Sequence, residues 1–240
     1  MKRKFDKITD FNLETESTSD EKDDEVEKST EKKNTSEDYY NDTNNDKTEV
    51  TSSRNHIYFY CSVGKKSCLK LNTLLKETAQ KIIDDGSNHL KKDKYIYLHI
   101  NSFGGGVFAA LSTIDTIRNL KVPVVSIIEG GAASAATMIS VCCDYRIIFK
   151  NSFMLIHQLS SCCWGKMNQL EDEMENLKKL MNRIKGIYKE NTNIEDDLLE
   201  EILKHDLWWD AKKCLSEGLV DMIKEEGDLI YDFKKEKLDI

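Results

Sequence analysis

Ser134 lies in the run Glu129-Gly130-Gly131-Ala132-Ala133-Ser134-Ala135-Ala136-Thr137. An apolar stretch of strand character, residues 122–128, precedes it, and a helical stretch ending near Cys143 follows. A strand that turns sharply into a helix exposes the residue at the turn. It also sets that residue beside unpaired backbone N–H groups and the positive end of the helix dipole. A hydroxyl there can serve as a nucleophile, because charge developing next to it meets donors already aimed at it. The small neighbours leave the hydroxyl accessible. The same run also has a purely structural reading, tight packing of a helix on a sheet, so the rest of the chain must decide.

Three further segments carry residue types that could join such a hydroxyl. Asn101-Ser102-Phe103-Gly104-Gly105-Gly106-Val107 places a glycine run between a strand and a helix, where free backbone N–H groups can face a ligand or an oxyanion. Gly104, Gly106 and Ala109 also match G-x-G-x-x-A, and Glu129 lies where a ribose-binding acid could sit, so a dinucleotide-binding enzyme is an alternative by spacing alone. Phe153-Met154-Leu155-Ile156-His157-Gln158 ends an apolar strand on an imidazole, a general base or a hydrogen-bonded structural histidine. Asp206 follows a helical segment and precedes Trp208 and Trp209, which could shield its carboxylate from water. Beside an imidazole it would fix the tautomer; alone it would be a helix-terminating residue.

These segments sit in a body of near-neutral charge. Residues 1–54 hold ten basic against sixteen acidic residues, −6 of the chain's −8, which leaves −2 for residues 55–240. With few and scattered apolar residues, 1–54 cannot offset its ordering entropy and reads as a disordered N-terminal extension. The neutral body argues against nucleic acid. No membrane-spanning run or signal-peptide core is evident, so the reading is intracellular, with the cytoplasm as compartment and no membrane partner. Seven cysteines, an odd count, read as reduced thiols. The vicinal pairs Cys142-Cys143 and Cys162-Cys163 lack C-x-x-C spacing, so no metal is expected.

The elements that must position these residues alternate. Strands are expected at 56–60, 95–100, 123–128, 145–149 and 153–156, with helices at 69–84 and 107–120 and behind Ser134. That order predicts an α/β body with largely parallel pairing. Beyond residue 165, Met167, Leu170, Met174, Leu177, Met181, Ile184 and Tyr188 form a heptad stripe on a helix of about 25 residues. Such a helix could pack on its own domain, but a stripe this regular often meets another helix, so a subunit contact is the favoured reading over internal packing alone. Residues 195–205 form a further helix, and Asp210 caps a short one ending at Gly218.

Taken in order, the motifs over residues 56–223 resemble those of the ClpP family, the proteolytic subunits of Clp proteases. They are Ile100-Asn101-Ser102-x-Gly104-Gly105-x-Val107, Gly131-Ala132-Ala133-Ser134, Met154-x-Ile156-His157-Gln158, Asp206-x-x-x-x-Ala211 and Gly218-Leu219-Val220-Asp221. The resemblance implies a crotonase-like α/β spiral of β-β-α units over 55–240, with a protruding handle helix at about 166–190. It implies a cofactor-free serine endopeptidase with Ser134 as nucleophile, His157 as base and then acid, and Asp206 as orienting carboxylate. Backbone N–H groups of Gly105 and Ala135 would form the oxyanion hole, and Gly104, Gly106 and Val107 would bind a substrate strand. Peptides or unfolded proteins would be cleaved in a heptameric ring or double ring of identical chains, served by an AAA+ unfoldase. The chain also departs from the family pattern. Phe103 and Gly106 stand at a proline and a serine position, Leu159 replaces a proline, and Lys204-His205 replaces an acid and an arginine tied to ring assembly. An inactive, structural ring subunit is therefore the second reading.

Overall fold

The structure is a computed structural model that describes residues 50–85 and 94–227. Most of the acidic extension therefore lies outside the described residues. Its last part does not: β1 (Val50–Ser53) pairs antiparallel with β2 (His56–Phe59). Among the described residues a strand therefore already occupies Val50–Ser53, with Val50 buried. The Arg54-Asn55 turn is short enough to hide in a polar composition, with Arg54 in the left-handed region at φ 56°.

The chain continues through α1 (Lys65–Asp85), β3 (Ile96–Ser102), α2 (Val107–Arg118), β4 (Val124–Ala133), α3 (Ala135–Val141), β5 (Tyr145–Phe149) and β6 (Phe153–Leu155). Then come α4 (Met167–Asn191), α5 (Asp196–Ile202), β7 (Trp208–Asp210), α6 (Ala211–Ser216) and β8 (Met222–Lys224). The main sheet runs β1-β2-β3-β4-β5-β8, parallel after the first pair, and β6 and β7 branch from the end of β4. Parallel neighbours need crossovers, and α1 and α2 supply the first two. This is the mixed α/β fold expected.

Alternation along the strands gives the sheet two different faces. Ile57, Phe59, Leu98, Ile100, Val124 and Ile128 join the helices in the main core, where α1 contributes Cys68, Leu71, Leu75 and Ala79 at helical spacing. The opposite face carries Tyr97, Val125, Ile127, Tyr145 and Ile147. It also carries a polar chain. His99 Nδ1 donates to Glu129 Oε1 at 2.9 Å, so in its neutral form Nε2 accepts from His56 Nδ1 at 2.8 Å. Tyr60 donates its hydroxyl to the other oxygen of Glu129, and the His56 and His99 rings stack on Tyr97 and Tyr58. At the far side of the sheet Arg146 closes the fold. It makes a two-pronged bond to Asp221 at 2.9 Å and also donates to the carbonyls of Asn191 and Gly218. Both side chains are buried, so either one without the other would leave an uncompensated charge.

The heptad stripe is divided. Ile184 and Tyr188 are buried against the body, while Met174 and Met167 are 51 % and 72 % exposed. Among the described residues no helix is long and apolar enough to cross a membrane.

The polar chain makes stability depend on pH. Burial, and then the neighbouring His99, hold His56 below the ordinary imidazole value of 6.5 despite Glu129. Burial works to raise Glu129, but hydrogen bonds from His99 and Tyr60 outweigh it and leave the carboxyl below 4.5. In both groups the unfolded chain binds protons first on acidification. Stability is therefore full above about pH 6.5 and falls as His56, and then Glu129, is forced to take a proton. Thermal melts across pH 4 to 8 should show that decline. His56→Gln should flatten its upper part, and an unchanged slope in that variant would remove His56 from the account.

Candidate active site

Strand β4 changes partners along its length. Val125–Ile128 pair with β5, whereas Gly131, Ala132 and Ala133 pair with β6. The switch occurs at an irregularity against β3: Ile100 faces Ile128, but Ser102 faces Ala132, so β4 carries extra chain between them. Gly130 absorbs it at φ +81°, a conformation that favours glycine, and donates its N–H to Ser152 Oγ at 2.8 Å. The Glu-Gly-Gly sequence reads as the strand's end at 128. It is a bend within a longer strand.

The bend sends the chain to Ser134, which lies at φ 53°, ψ −126°. A non-glycine residue there carries backbone strain of about 1–3 kcal/mol, so its surroundings must enforce it. They do so from both sides. Ser134 N–H donates to Leu155 C=O at 2.9 Å, extending the β4–β6 ladder by one bond. Its carbonyl accepts from Thr137 Oγ1 at 2.6 Å, and that hydroxyl is bonded to Tyr188 OH of α4 at 2.7 Å. Tyr188 is buried, and burial pushes its phenol far above the ordinary value, so it serves as a neutral tie between α3 and α4. Ala135 opens α3, where an N–H has no partner within the helix. The sequence marks Tyr188 only as a member of the heptad stripe and does not mark Thr137, since a threonine inside a small-residue run carries no signal of its own.

The glycine run is fixed by an element the motifs do not include. Val63 bridges to it in parallel, with Val63 N–H donating to Gly104 C=O at 2.8 Å and Gly106 N–H to Val63 C=O at 2.7 Å. That bridge uses the groups flanking Gly105 and leaves the Gly105 N–H out of the pairing. Gly104 sits at φ +96°, and a Cβ on it would meet Ala133 O at 2.6 Å and Ser134 Cβ at 2.7 Å. Only glycine lets the loop approach the serine this closely.

His157 follows β6 by two residues and is about a quarter exposed. Its Nδ1 is 3.0 Å from Asp206 Oδ1. The imidazole and the carboxylate, 49 positions apart, are thus brought together as expected. Ser134 and His157 line one cleft of about 290 Å³, with Gly105, Gly106, Met138 and Leu159 among its walls. Among the described residues, however, no hydrogen bond joins Ser134 Oγ to the imidazole. The expected shielding of Asp206 is also absent, for its side chain is 64 % exposed. Trp208 instead meets Phe103 edge-on at 5.9 Å, and Trp209 lies under Lys213.

The dinucleotide alternative loses its parts. Gly104 and Gly106 are spent on holding Val63, and Glu129 is tied to His99 and Tyr60. Comparison with known proteins points elsewhere. A family profile described as Clp protease matches residues 71–227.

The chain belongs to the Clp protease family.

Among curated relatives, the ATP-dependent Clp protease proteolytic subunit 2 of Treponema pallidum is 28 % identical over 193 residues, 78 % of this chain and 97 % of that one. Among solved structures, a ClpP1 mutant from Listeria monocytogenes superposes with a TM-score of 0.63 at 22 % identity, covering 73 % of this chain and 94 % of that one. It shares the fold. The segments that carry Gly105, Ser134 and His157 thus line one cleft, Asp206 joins it through His157, and Gly218 and Asp221 instead hold Arg146. Their geometry makes Gly104→Ala a severe change in this Clp family chain. Strain and overlap together should cost about 2–4 kcal/mol of unfolding free energy in urea titrations. A loss below ~0.5 kcal/mol would mean that the loop is free to move away from Ser134.

Proposed function

We propose that this chain is the proteolytic subunit of a Clp-type serine endopeptidase, with Ser134, His157 and Asp206 as its triad. The observation that carries this reading is the 3.0 Å bond from His157 Nδ1 to Asp206, on the rim of the cleft that Ser134 enters. Asp206 holds the Nδ1 proton and leaves Nε2 as the basic nitrogen. Closure of the gap between Ser134 and that nitrogen lets His157 accept the hydroxyl proton as Oγ attacks a peptide carbonyl. The oxyanion that forms is met by the N–H groups of Gly105 and Ala135, both fixed before substrate arrives. His157 then gives its proton to the departing amine, and water hydrolyses the acyl-enzyme by the same steps in reverse order of roles.

The substrate enters as an extended strand beside Gly104, Gly106 and Val107, held by main-chain hydrogen bonds that ignore side-chain identity. That mode suits unfolded proteins and peptides, delivered by an AAA+ unfoldase to a ring or double ring of identical chains. Free buried thiols fit a reducing compartment. A second reading, a ring subunit of little activity, is favoured by one observation: the open contact between Ser134 and His157 beside an exposed Asp206.

A fluorophosphonate probe separates the two in the assembled protein. Under the leading reading Ser134 is labelled and Ser134→Ala is not. Asp206→Asn should lower peptide hydrolysis by up to about 10⁴-fold through the wrong imidazole tautomer, with the fold intact by circular dichroism. An assembled particle whose Ser134 stays unlabelled, while a control serine peptidase reacts, would establish the structural reading.

A further inference from the structure

Two of the seven cysteines are unlike the others. Cys61, Cys68, Cys142, Cys143 and Cys214 are buried, whereas the adjacent Cys162 and Cys163 are exposed. They lie between β6 and α4, in a stretch with neither helix nor strand that begins at the His157 end of the site. Its start is tethered: Gln158 N–H donates to Leu203 C=O at 2.8 Å and Leu159 N–H to Met181 Sδ at 3.5 Å. The next tether is Lys166 N–H on Gln169 Oε1 at 2.9 Å, and among the described residues none intervenes. Within this untethered span Ser160 and Ser161 line the same cleft as Ser134 and His157, while Trp164 is 99 % exposed.

We propose that Cys162-Cys163 is a thiol-modification site at the mouth of the cleft, one that takes a low-molecular-weight disulfide and shuts the site. In the step, one cysteine thiolate attacks a disulfide sulfur. The small molecule's S–S bond breaks, a protein mixed disulfide forms, and one small thiolate leaves and takes the proton the cysteine released. The cysteine is oxidised and half of the disulfide is reduced. The neighbouring thiol does not readily resolve the adduct, because adjacent Cα atoms lie about 3.8 Å apart, short of the separation an unstrained disulfide spans. The mixed disulfide therefore persists until an external thiol removes it. A bulky group beside Ser161 crowds the cleft and pulls on the two tethers behind His157.

This inference rests on the reading of Ser134 as nucleophile for its activity readout, so a second readout is independent of it. The full chain is incubated with glutathione disulfide, and adducts are mapped by peptide mass analysis. Fluorophosphonate labelling of Ser134 and amide exchange over residues 157–160 are measured in parallel. The expected result is one glutathionyl group on the Cys162-Cys163 peptide, faster exchange at Gln158 and Leu159, and labelling slowed roughly ten- to a hundredfold, the scale of a displaced catalytic group. Dithiothreitol should restore all three, and the variant Cys162→Ser/Cys163→Ser should label normally and resist the treatment. Adducts on other cysteines, covalent dimers in place of the adduct, or an adduct that leaves exchange and labelling unchanged would each overturn the proposal. If the reduced chain is not labelled at all, the nucleophile reading fails by itself. The exchange arm then decides the modification site: unchanged exchange overturns it and faster exchange upholds it.

Discussion

The bond from Ser134 N–H to Leu155 C=O is the constraint on which the site depends. It is the last rung of the β4–β6 ladder, and it does two things at once. It holds Ser134 in a left-handed conformation that a lone turn would relax. It also fixes the register between the serine and β6, so that His157, two residues past Leu155, falls on the same cleft. A slip of one residue in this ladder would turn the alternating side chains of β6 over. Met154, which is fully buried, would leave the core with them.

That rung is reachable only because β4 bends. A strand paired with β5 throughout would carry Ser134 past the far side of the sheet, away from β6. Gly130 supplies the bend and Ser152 stabilises it, so the strand passes from one neighbour to the next. The same economy of backbone shapes the glycine loop, where Val63 takes the bonds on either side of Gly105. The bridge orders the loop while leaving the Gly105 N–H out of the pairing. Farther out, Arg146 joins β5 to Asp221 and to the carbonyls of Asn191 and Gly218, so the end of α4 is bound to the sheet that carries the site.

Much of this was legible in the sequence, and the reasons differ by residue. The alternation of apolar strands and helices fixed the α/β order, because period is a local property of the chain. Ser134, His157 and Asp206 were found through ordered motifs, and the structure brings the last two into hydrogen-bonding contact. The bend in β4 was missed because glycines at a strand's end and glycines at a bulge have the same composition. β1 was missed because exposed Thr51, Ser52 and Ser53 look like tail, and their pairing with β2 is a tertiary fact. Val63 acts through backbone and Thr137 through one hydroxyl, which no spacing rule reports, and the stripe that includes Tyr188 says nothing of its hydroxyl. The expected cover over Asp206 failed for a related reason. Sequence adjacency to Trp208 and Trp209 says nothing about direction, and alternate residues of β7 point opposite ways.

The divided stripe of α4 bears on the stretch that follows His157. Where α4 packs on its own body, at Ile184, Ile187 and Tyr188, its side chains are buried, and Tyr188 bonds to Thr137 in the turn behind Ser134. Toward Met174 and Met167 the helix loses that support, and the stretch joining it to His157 has few tethers. The bond from Leu159 N–H to Met181 Sδ of α4 links that stretch to the helix, so the support of α4 bears on the residues just behind His157. Burial of apolar side chains is what turns a stripe into a fixed helix, at about 25 cal/mol for each Å² removed from water. A surface that covered Met167 and Met174 would therefore act on the geometry of His157 through α4, without touching the serine. Ser134 is held by the chain's own ladder, whereas the stretch behind His157 is held in part by α4.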